Sequence, residues 1–381
     1  MIDFEHLFTL YNEPKLLGRF ITLDHIEHLL SKYPNEIIGY SVLNKPIYKL
    51  ELGTGKTKIF MWSQMHGNES TTTKAVFDFI NLLHSNTDFG NKLLQEFTFC
   101  ILPMLNPDGA KLYTRENANK VDLNRDSQVL SQPESQLLRK TFDLFQPDYC
   151  YNLHDQRTIF GAGNSGKPAT VSFLSPSFNE NRDMNETRTI SINVIVAMEK
   201  VLQQFIPGQV GRFDDSFNIN CIGDTFQSLN VPTILFEAGH FQNDYQREET
   251  RKYIFIALIP GFKHIYENDV VRNEIDVYLQ IPQNKVCFYD FVCRNVKINY
   301  DSCKKIINFA AQYKEVLHNN QIKFEAYICQ VDDLENYFGH IDIDAEEALY
   351  EDEIDNFPKI NEKANFRLGK SLIFVKGLLK I

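Results

Sequence analysis

Three short stretches of this chain hold residue types that could do chemistry together. The first is His66-Gly67-Asn68-Glu69, set between an apolar run, KIFMWSQ, and a helix-like one, STTTKAVFDFINLLHS. A catalytic zinc needs three nitrogen or oxygen ligands and a fourth position open to water. An imidazole and a carboxylate three residues apart supply two of them. The second is His154, which closes the apolar run DYCYNL and could bring a third ligand from a distant part of the fold. The third is Glu237, directly after TILF in VPTILFEAGH, with no opposite charge among its nearest neighbours. A carboxylate leaving an apolar strand is costly unless paired or used. Partial loss of water raises its pKa toward the range of a general base or acid. Each stretch has a plainer reading: a chance spacing, a structural histidine, a strand-end glutamate reaching solvent.

Between the first and second lies NPDGAKLYTRENANKVDLNRDSQ, with Arg115, Asp122, Asn124 and Arg125. Arginine grips a carboxylate through two parallel hydrogen bonds. Two arginines ten apart, one in an Asn-Arg pair, would suit a substrate bearing a carboxylate and developing an oxyanion. A solvated loop would have the same composition.

The elements that must position these residues alternate. Residues 1–35 read as helix and linker, with FITLDHIEHLLSKYP periodic at Ile21, Ile26, Leu29 and Leu30 and stopped by Pro34. EIIGYSVL, PIYKLELG and KIFMWSQ read as strands, and FTFCILPML as a strand buried on both faces. PESQLLRKTFDLF, ISINVIVAMEKVLQQFI and REETRKYIFIALIPGFKHIYEN read as helices, DYCYNLH and VPTILFEAGH as strands. The alternation over residues 36–268 predicts an α/β domain, with a mixed, largely parallel sheet flanked by helices. In such sheets the polar site lies beyond the carboxyl ends of the strands, where all three stretches fall.

After residue 270 the texture changes. VYLQI, KVCFYDFV, KFEAYICQV and LIFVKGLL read as strands around one helix-like stretch, DSCKKIINFAAQYKEVLHNN. Eight Asp or Glu crowd residues 342–355, a composition expected of a solvated surface. The expected division is a catalytic domain over 1–270 and a smaller α+β accessory unit over 271–381.

Composition narrows the function. The 381 residues are 43% hydrophobic and carry 39 Lys and Arg against 50 Asp and Glu, a net charge of -11. No basic cluster interrupts the acidic excess, which argues against a nucleic-acid partner. The longest apolar run, Tyr253 to Phe262, contains a proline and is too short to span a bilayer, so no membrane partner is expected. Seven cysteines without a C-x-x-C pair argue against a disulfide framework. Cys100, Cys150 and Cys221 read as small buried thiols. With no signal-peptide pattern in MIDFEHLFTLYNEPKLL, a cytoplasmic setting is expected.

H-x-x-E, N-P-D-G, D-x-N-R, a strand-end His and a strand-end Glu follow one another in the order seen in the zinc carboxypeptidases. Over residues 36–268 the sequence resembles that family of metallocarboxypeptidases of the carboxypeptidase A type. The resemblance implies one Zn2+ per chain, held by His66, Glu69 and His154. It implies Asp122 as the partner that orients His66, Arg115 as the group that polarises the scissile carbonyl, and Asn124 with Arg125 as the clamp for the substrate's terminal carboxylate. It implies Glu237 as general base and acid. The implied activity is release of the C-terminal amino acid from a peptide.

Two departures bear on that expectation. Asn68 stands where the pancreatic-type enzymes have Arg. The stretch GRFDDSFNINCIGDTF before Glu237 has Phe213, Phe217 and Phe226 but no Tyr, so the family's flexible Tyr is absent there or replaced. Asp214, Asp215 or Asp224 could favour a basic terminal residue or line a solvated loop. The H-G-N-E form also resembles aspartoacylase and succinylglutamate desuccinylase, which implies an N-acyl amino acid as the alternative substrate. N-P-D-G and F-E-A-G favour the peptidases. A zinc-free relative used for binding is the remaining reading, and the intact His66, Glu69, His154 and Glu237 set argues against it.

Overall fold

In the computed structural model, which describes residues 2–268, 271–300, 303–369, 372–375 and 378–380, the chain forms two compact units. The first comprises residues 1–156 and 169–284, the second 157–168 and 285–381. The division expected at residue 270 falls on residues outside the described ones.

The first unit opens with α1 (Phe4–Tyr11) and α2 (Leu23–Leu30), followed by β1 (Asn35–Tyr40), β2 (Pro46–Leu52) and β3 (Thr57–Ser63). Then come α3 (Thr71–Leu83), α4 (Asp88–Glu96), β4 (Phe97–Leu102), α5 (Pro107–Leu112), α6 (Pro133–Phe145) and β5 (Tyr149–Asp155). β6 (Phe160–Ala162) lies in the second unit. The first resumes with β7 (Val171–Leu174), α7 (Glu186–Leu202), β8 (Val210–Arg212), α8 (Ile222–Ser228), β9 (Thr233–Ala238), α9 (Glu248–Glu267) and α10 (Ile275–Gln280). Eight strands form one sheet in the order β1-β2-β4-β3-β5-β9-β7-β8. β4, β3, β5 and β9 are mutually parallel, β8 is parallel to β7, and β1, β2 and β7 pair antiparallel.

Alternation along the central strands feeds two cores. Ile59 and Met61 of β3, with Tyr151 and Leu153 of β5, pack on one side against α3, α7 and α9. Phe60, Trp62 and Cys150 pack on the other against α6 and α8, where Phe142 and Phe226 stack with ring centroids 3.9 Å apart. VYLQI, expected as a strand, falls instead in α10. Its Tyr278 is buried, and the Tyr278 hydroxyl accepts from the Ser175 backbone N–H at 3.1 Å, an anchor that overrides strand propensity.

The second unit is built of strands among its described residues. β10 (Asn284–Val286) pairs with β6. β11 (Phe288–Tyr300), β12 (Cys303–His318), β13 (Gln321–Val331) and β14 (Phe338–Asp344) make a sheet in the order β13-β12-β11-β14. β15 (Tyr350–Glu351), β16 (Phe366–Leu368), β17 (Leu372–Val375) and β18 (Leu378–Lys380) make another. The helix expected over DSCKKIINFAAQYKEVLHNN is therefore β12 and the turn at Asn319 and Asn320, apart from Asp301 and Ser302, which lie outside the described residues. The reason is pairing on both sides. β12 is antiparallel to β11 and to β13, and Ile307, Phe309 and Ala311 alternate into the core.

Buried charge holds the first unit's amino-terminal segment in place. The Arg251 guanidinium, on α9, donates to both Asp78 oxygens, at 2.7 and 2.5 Å, and to the carbonyls of Leu16 and Glu13 at 2.6 and 2.9 Å. Both side chains of the pair are buried. Lys74 donates to Glu248 at 2.6 Å beside them, and burial lowers its pKa to about 8. A second buried acid, Asp224, lies on α8 and accepts from the Asn218 N–H at 2.8 Å. Burial raises its pKa to about 7 against the opposing pull of Arg188 and Arg125.

Arg251→Met leaves Asp78 charged and buried without its guanidinium, a change that costs about 3–5 kcal/mol in comparable pairs. Urea denaturation should show that loss; an unchanged midpoint would mean the pair is dispensable. Asp224 binds its proton more tightly in the folded state than in the unfolded chain. Its contribution to stability is thus complete below pH 3.8 and is lost as pH rises through about 7. Asp224→Asn keeps an acceptor for Asn218 without the titration. Denaturation midpoints of this variant should therefore gain on wild type between pH 4 and pH 8, whereas parallel pH curves would contradict the raised pKa.

Candidate active site

The chain leaves β3 at Ser63 and reaches α3 at Thr71 through one tight loop that carries His66 and Glu69. Two glycines make that loop fit. A Cβ on Gly67 would lie 1.9 Å from the Gly109 carbonyl carbon and 2.2 Å from the Ala110 nitrogen. A Cβ on Gly109 would lie 2.6 Å from the Glu116 carbonyl oxygen. The loop thus rests directly on the first turn of α5, and H-G-N-E and N-P-D-G are two halves of one contact. Asn106 completes it. Its Oδ1 caps α5 by accepting from Gly109 N–H at 2.8 Å, and its Nδ2 donates to the Met65 carbonyl at 3.2 Å.

His154 comes from β5, the parallel neighbour of β3, in which Ser63 pairs with Leu153. β5 runs two residues past that pair to Asp155, and three side chains converge at this rim. His66 Nδ1 lies 2.8 Å from Glu69 Oε1, His154 Nδ1 lies 2.8 Å from Glu69 Oε2, and the two Nδ1 atoms are 3.1 Å apart. All three residues are buried, and their ligand atoms fall within 4.8 Å of one another. The outer nitrogen of His66 faces a carboxylate, with Nε2 3.0 Å from Asp122 Oδ1. That bond selects the tautomer with its proton on Nε2 and leaves the Nδ1 lone pair pointing inward. Two imidazole nitrogens and a carboxylate turned toward one point, with the outer nitrogen of one ring held by an acid, is a donor set that fits a tetrahedral zinc.

Asp122 serves more than His66. The same Oδ1 accepts from the Asn124 N–H at 2.9 Å, and Oδ2 accepts from Arg115 Nε at 3.0 Å. Arg115 Nη1 in turn lies 3.3 Å from Glu69 Oε1. Burial works against the Asp122 carboxylate, but the bond from His66 and the charges of His66, Arg115 and Arg125 together hold it well below the usual carboxylate range. Glu69 behaves alike: burial opposes its charge, and the two imidazoles more than compensate. Burial pulls His154 down, whereas His66 is raised, its own burial outweighed by Glu69 and Asp122.

Asn124 and Arg125 lie in the helical turn Leu123–Arg125 that Asp122 caps. The Asn124 side-chain oxygen accepts from the Ile222 N–H at 3.0 Å, so its amide nitrogen is the end left for another acceptor. The Arg125 side chain is exposed, with Nη1 donating to the Asn124 carbonyl at 2.8 Å. Glu237 stands on β9, in register with His154 on β5. Burial raises its pKa well above the ordinary carboxylate value, and the negative charges of Glu69 and Asp155 add to the effect. His66, Glu69, His154, Asp122 and Arg115 are therefore in direct contact, with Asn124 joined through Asp122. Sequence reasoning missed two neighbours. Asp155 bonds the start of α3, and Arg247, from the turn before α9, donates to the carbonyls of Ala238 and, at 2.6 Å, of Gln156, at the ends of β9 and β5. A buried acid directly after the strand-end His was the one available signal.

Residues 22–157 match the family described as zinc carboxypeptidase. The chain is 27% identical over 113 residues to the probable carboxypeptidase 2 of Arthroderma benhamiae, covering 30% of this chain and 21% of that protein. It is 33% identical over 101 residues to the gamma-D-glutamyl-L-diamino acid endopeptidase 1 of Lysinibacillus sphaericus, covering 24% of this chain and 26% of that protein. The chain thus spans about a quarter or less of the length of these curated relatives. Among solved structures, a metallo-carboxypeptidase from Burkholderia cenocepacia superimposes with a TM-score of 0.53 at 19% identity, over 65% of this chain and 70% of the other, a likeness of fold. Residues 22–157 are thus similar in sequence to the zinc carboxypeptidases, and the fold resembles that of solved metallo-carboxypeptidases over about two thirds of the chain.

Proposed function

We propose that the protein is a zinc-dependent hydrolase that releases the C-terminal amino acid from peptides, with one zinc per chain. The observation that carries this reading is the convergence of His66 Nδ1, Glu69 and His154 Nδ1 beside Glu237 and Arg115. When bound, zinc supplies a Lewis acid that lowers the pKa of a water from 15.7 to about 7.

The chain's own groups then divide the remaining tasks. Glu237 is half-buried and its pKa is raised, so its carboxylate takes a proton from the attacking water and returns it to the leaving amine. Arg115 is partly exposed, and its guanidinium donates to the oxyanion that develops on the scissile carbonyl, leaving Glu69 to do so. A positioned donor of this kind is worth about 3–4 kcal/mol in comparable sites. Asn124 Nδ2 and the Arg125 guanidinium hold the substrate's terminal carboxylate. The Ile222 N–H matters here, because it fixes which end of the Asn124 amide faces the substrate. A cytoplasmic setting belongs to the same proposal.

Hydrolysis of an N-acyl amino acid would use the same ligands and the same clamp, and the H-G-N-E form favours it as the second reading. A mixed panel of peptides and N-acetyl or N-succinyl amino acids separates the two. Release of terminal residues from peptides supports the first, and turnover confined to N-acyl amino acids replaces it with the second. Absence of stoichiometric zinc from purified protein, with Glu69→Gln silent, would leave only a binding role.

Glu237→Gln should keep the fold and the zinc content and lower kcat by about 10²–10⁴-fold. In the wild type, kcat/KM should fall as pH drops through the raised pKa of Glu237, because the base must be unprotonated to act. Activity of the Gln variant close to that of wild type, or an acid limb unchanged by the substitution, would remove Glu237 from the reaction.

A further inference from the structure

We propose that Asp155 is a positioning residue for the metal centre, locking the loop that carries His66 and Glu69 onto the strand that carries His154. The inference rests on the ligand assignment above. It begins at the amino terminus of α3, where the first N–H groups have no partner within the helix. A helix preceded by serine ordinarily caps itself with that side chain. Ser70 does not: its hydroxyl donates to the Arg19 carbonyl at 2.6 Å, and it makes no cap bond. Asp155 does the capping from another strand. Its Oδ2 accepts from Thr71 N–H at 2.9 Å and its Oδ1 from Thr72 N–H at 3.2 Å. A carboxylate at this end of a helix is also favoured by the helix dipole.

The same residue reaches the ligands through its backbone. The Asp155 N–H donates to Glu69 Oε2 at 3.1 Å, the oxygen that faces His154 Nδ1. Strand alternation turns the Asp155 side chain away from the face that His154 uses, so it holds α3 without competing for the metal. Asp155 is therefore joined to two of the three ligands by short paths, covalently to His154 and by its N–H to Glu69, and its carboxylate holds the helix that starts two residues after Glu69. It is buried, which keeps water from those N–H groups.

Zinc affinity, measured on the full chain by competition with a chromogenic chelator, tests this. Asp155→Ala removes both acceptors, and Asp155→Asn keeps one in the same shape and guards against an unfolded variant. Thr87→Ala is the comparison: it removes an ordinary cap, Thr87 Oγ1 to Gly90 N–H at 3.1 Å, from the start of α4. Both Asp155 variants should bind zinc more weakly by roughly 10- to 100-fold, with Asn the milder, as for lost supports of metal ligands elsewhere. Thr87→Ala should lower the melting temperature of the metal-free protein and leave zinc affinity unchanged. Asp155 variants that lose stability as Thr87→Ala does but bind zinc as tightly as wild type would overturn the inference and leave the ligand assignment standing. Zinc binding by His66→Ala as tight as that of wild type would overturn the assignment and the inference with it.

Discussion

His66, Glu69 and His154 converge because β3 and β5 run in the same direction and end on one rim of the sheet. Parallel pairing puts both carboxyl ends on one rim of the sheet, so a loop leaving β3 and a side chain ending β5 meet without either strand bending. An antiparallel partner would have carried His154 to the opposite rim. Glu237 obeys the same constraint, since β9 is parallel to β5 and delivers it in register with His154. The helices between these strands are the crossovers that parallel pairing demands, and their apolar faces fill the two cores.

Crowding ionisable groups at one rim raises a second problem, their mutual repulsion and loss of water. Asp122 answers much of it. One carboxylate receives a ring N–H, a backbone N–H and a guanidinium, and so fixes the His66 tautomer, a turn and an arginine at once. Arg247 plays a comparable part at the strand ends, where its buried guanidinium meets backbone carbonyls beyond Glu237 and His154. The surrounding framework is held by another buried guanidinium, Arg251, whose partners span the amino-terminal segment, α3 and α9.

The legible parts of the sequence were those whose chemistry is local. His66 and Glu69 share one loop, N-P-D-G spells out a cap and a close glycine contact, and His154 and Glu237 each end an apolar run. The contacts of Asp155 were not legible, because its partners are backbone N–H groups 84 and 83 residues earlier. β12 was misread for a related reason. KKIINFAAQYKEVL carries apolar residues at both helical and strand spacing, and the strand prevailed through the neighbours on either side. α10 erred the other way: a short run with strand-like residues took the conformation that buries Tyr278. Where propensity and tertiary pairing disagree, pairing decides.

The twelve residues 157–168 begin three positions after His154 and belong to the second unit, where the Ile159 carbonyl accepts from the N–H groups of Cys287 and Phe288, both at 3.1 Å. The two units are thus interleaved in sequence, and no single cut separates them. A chain ended at residue 284 would strand β6 with its main partner gone, a few residues from His154. The second unit is in this sense an insertion and a tail at once, and its excision as a module would require closing the gap between Gln156 and Ala169 as well.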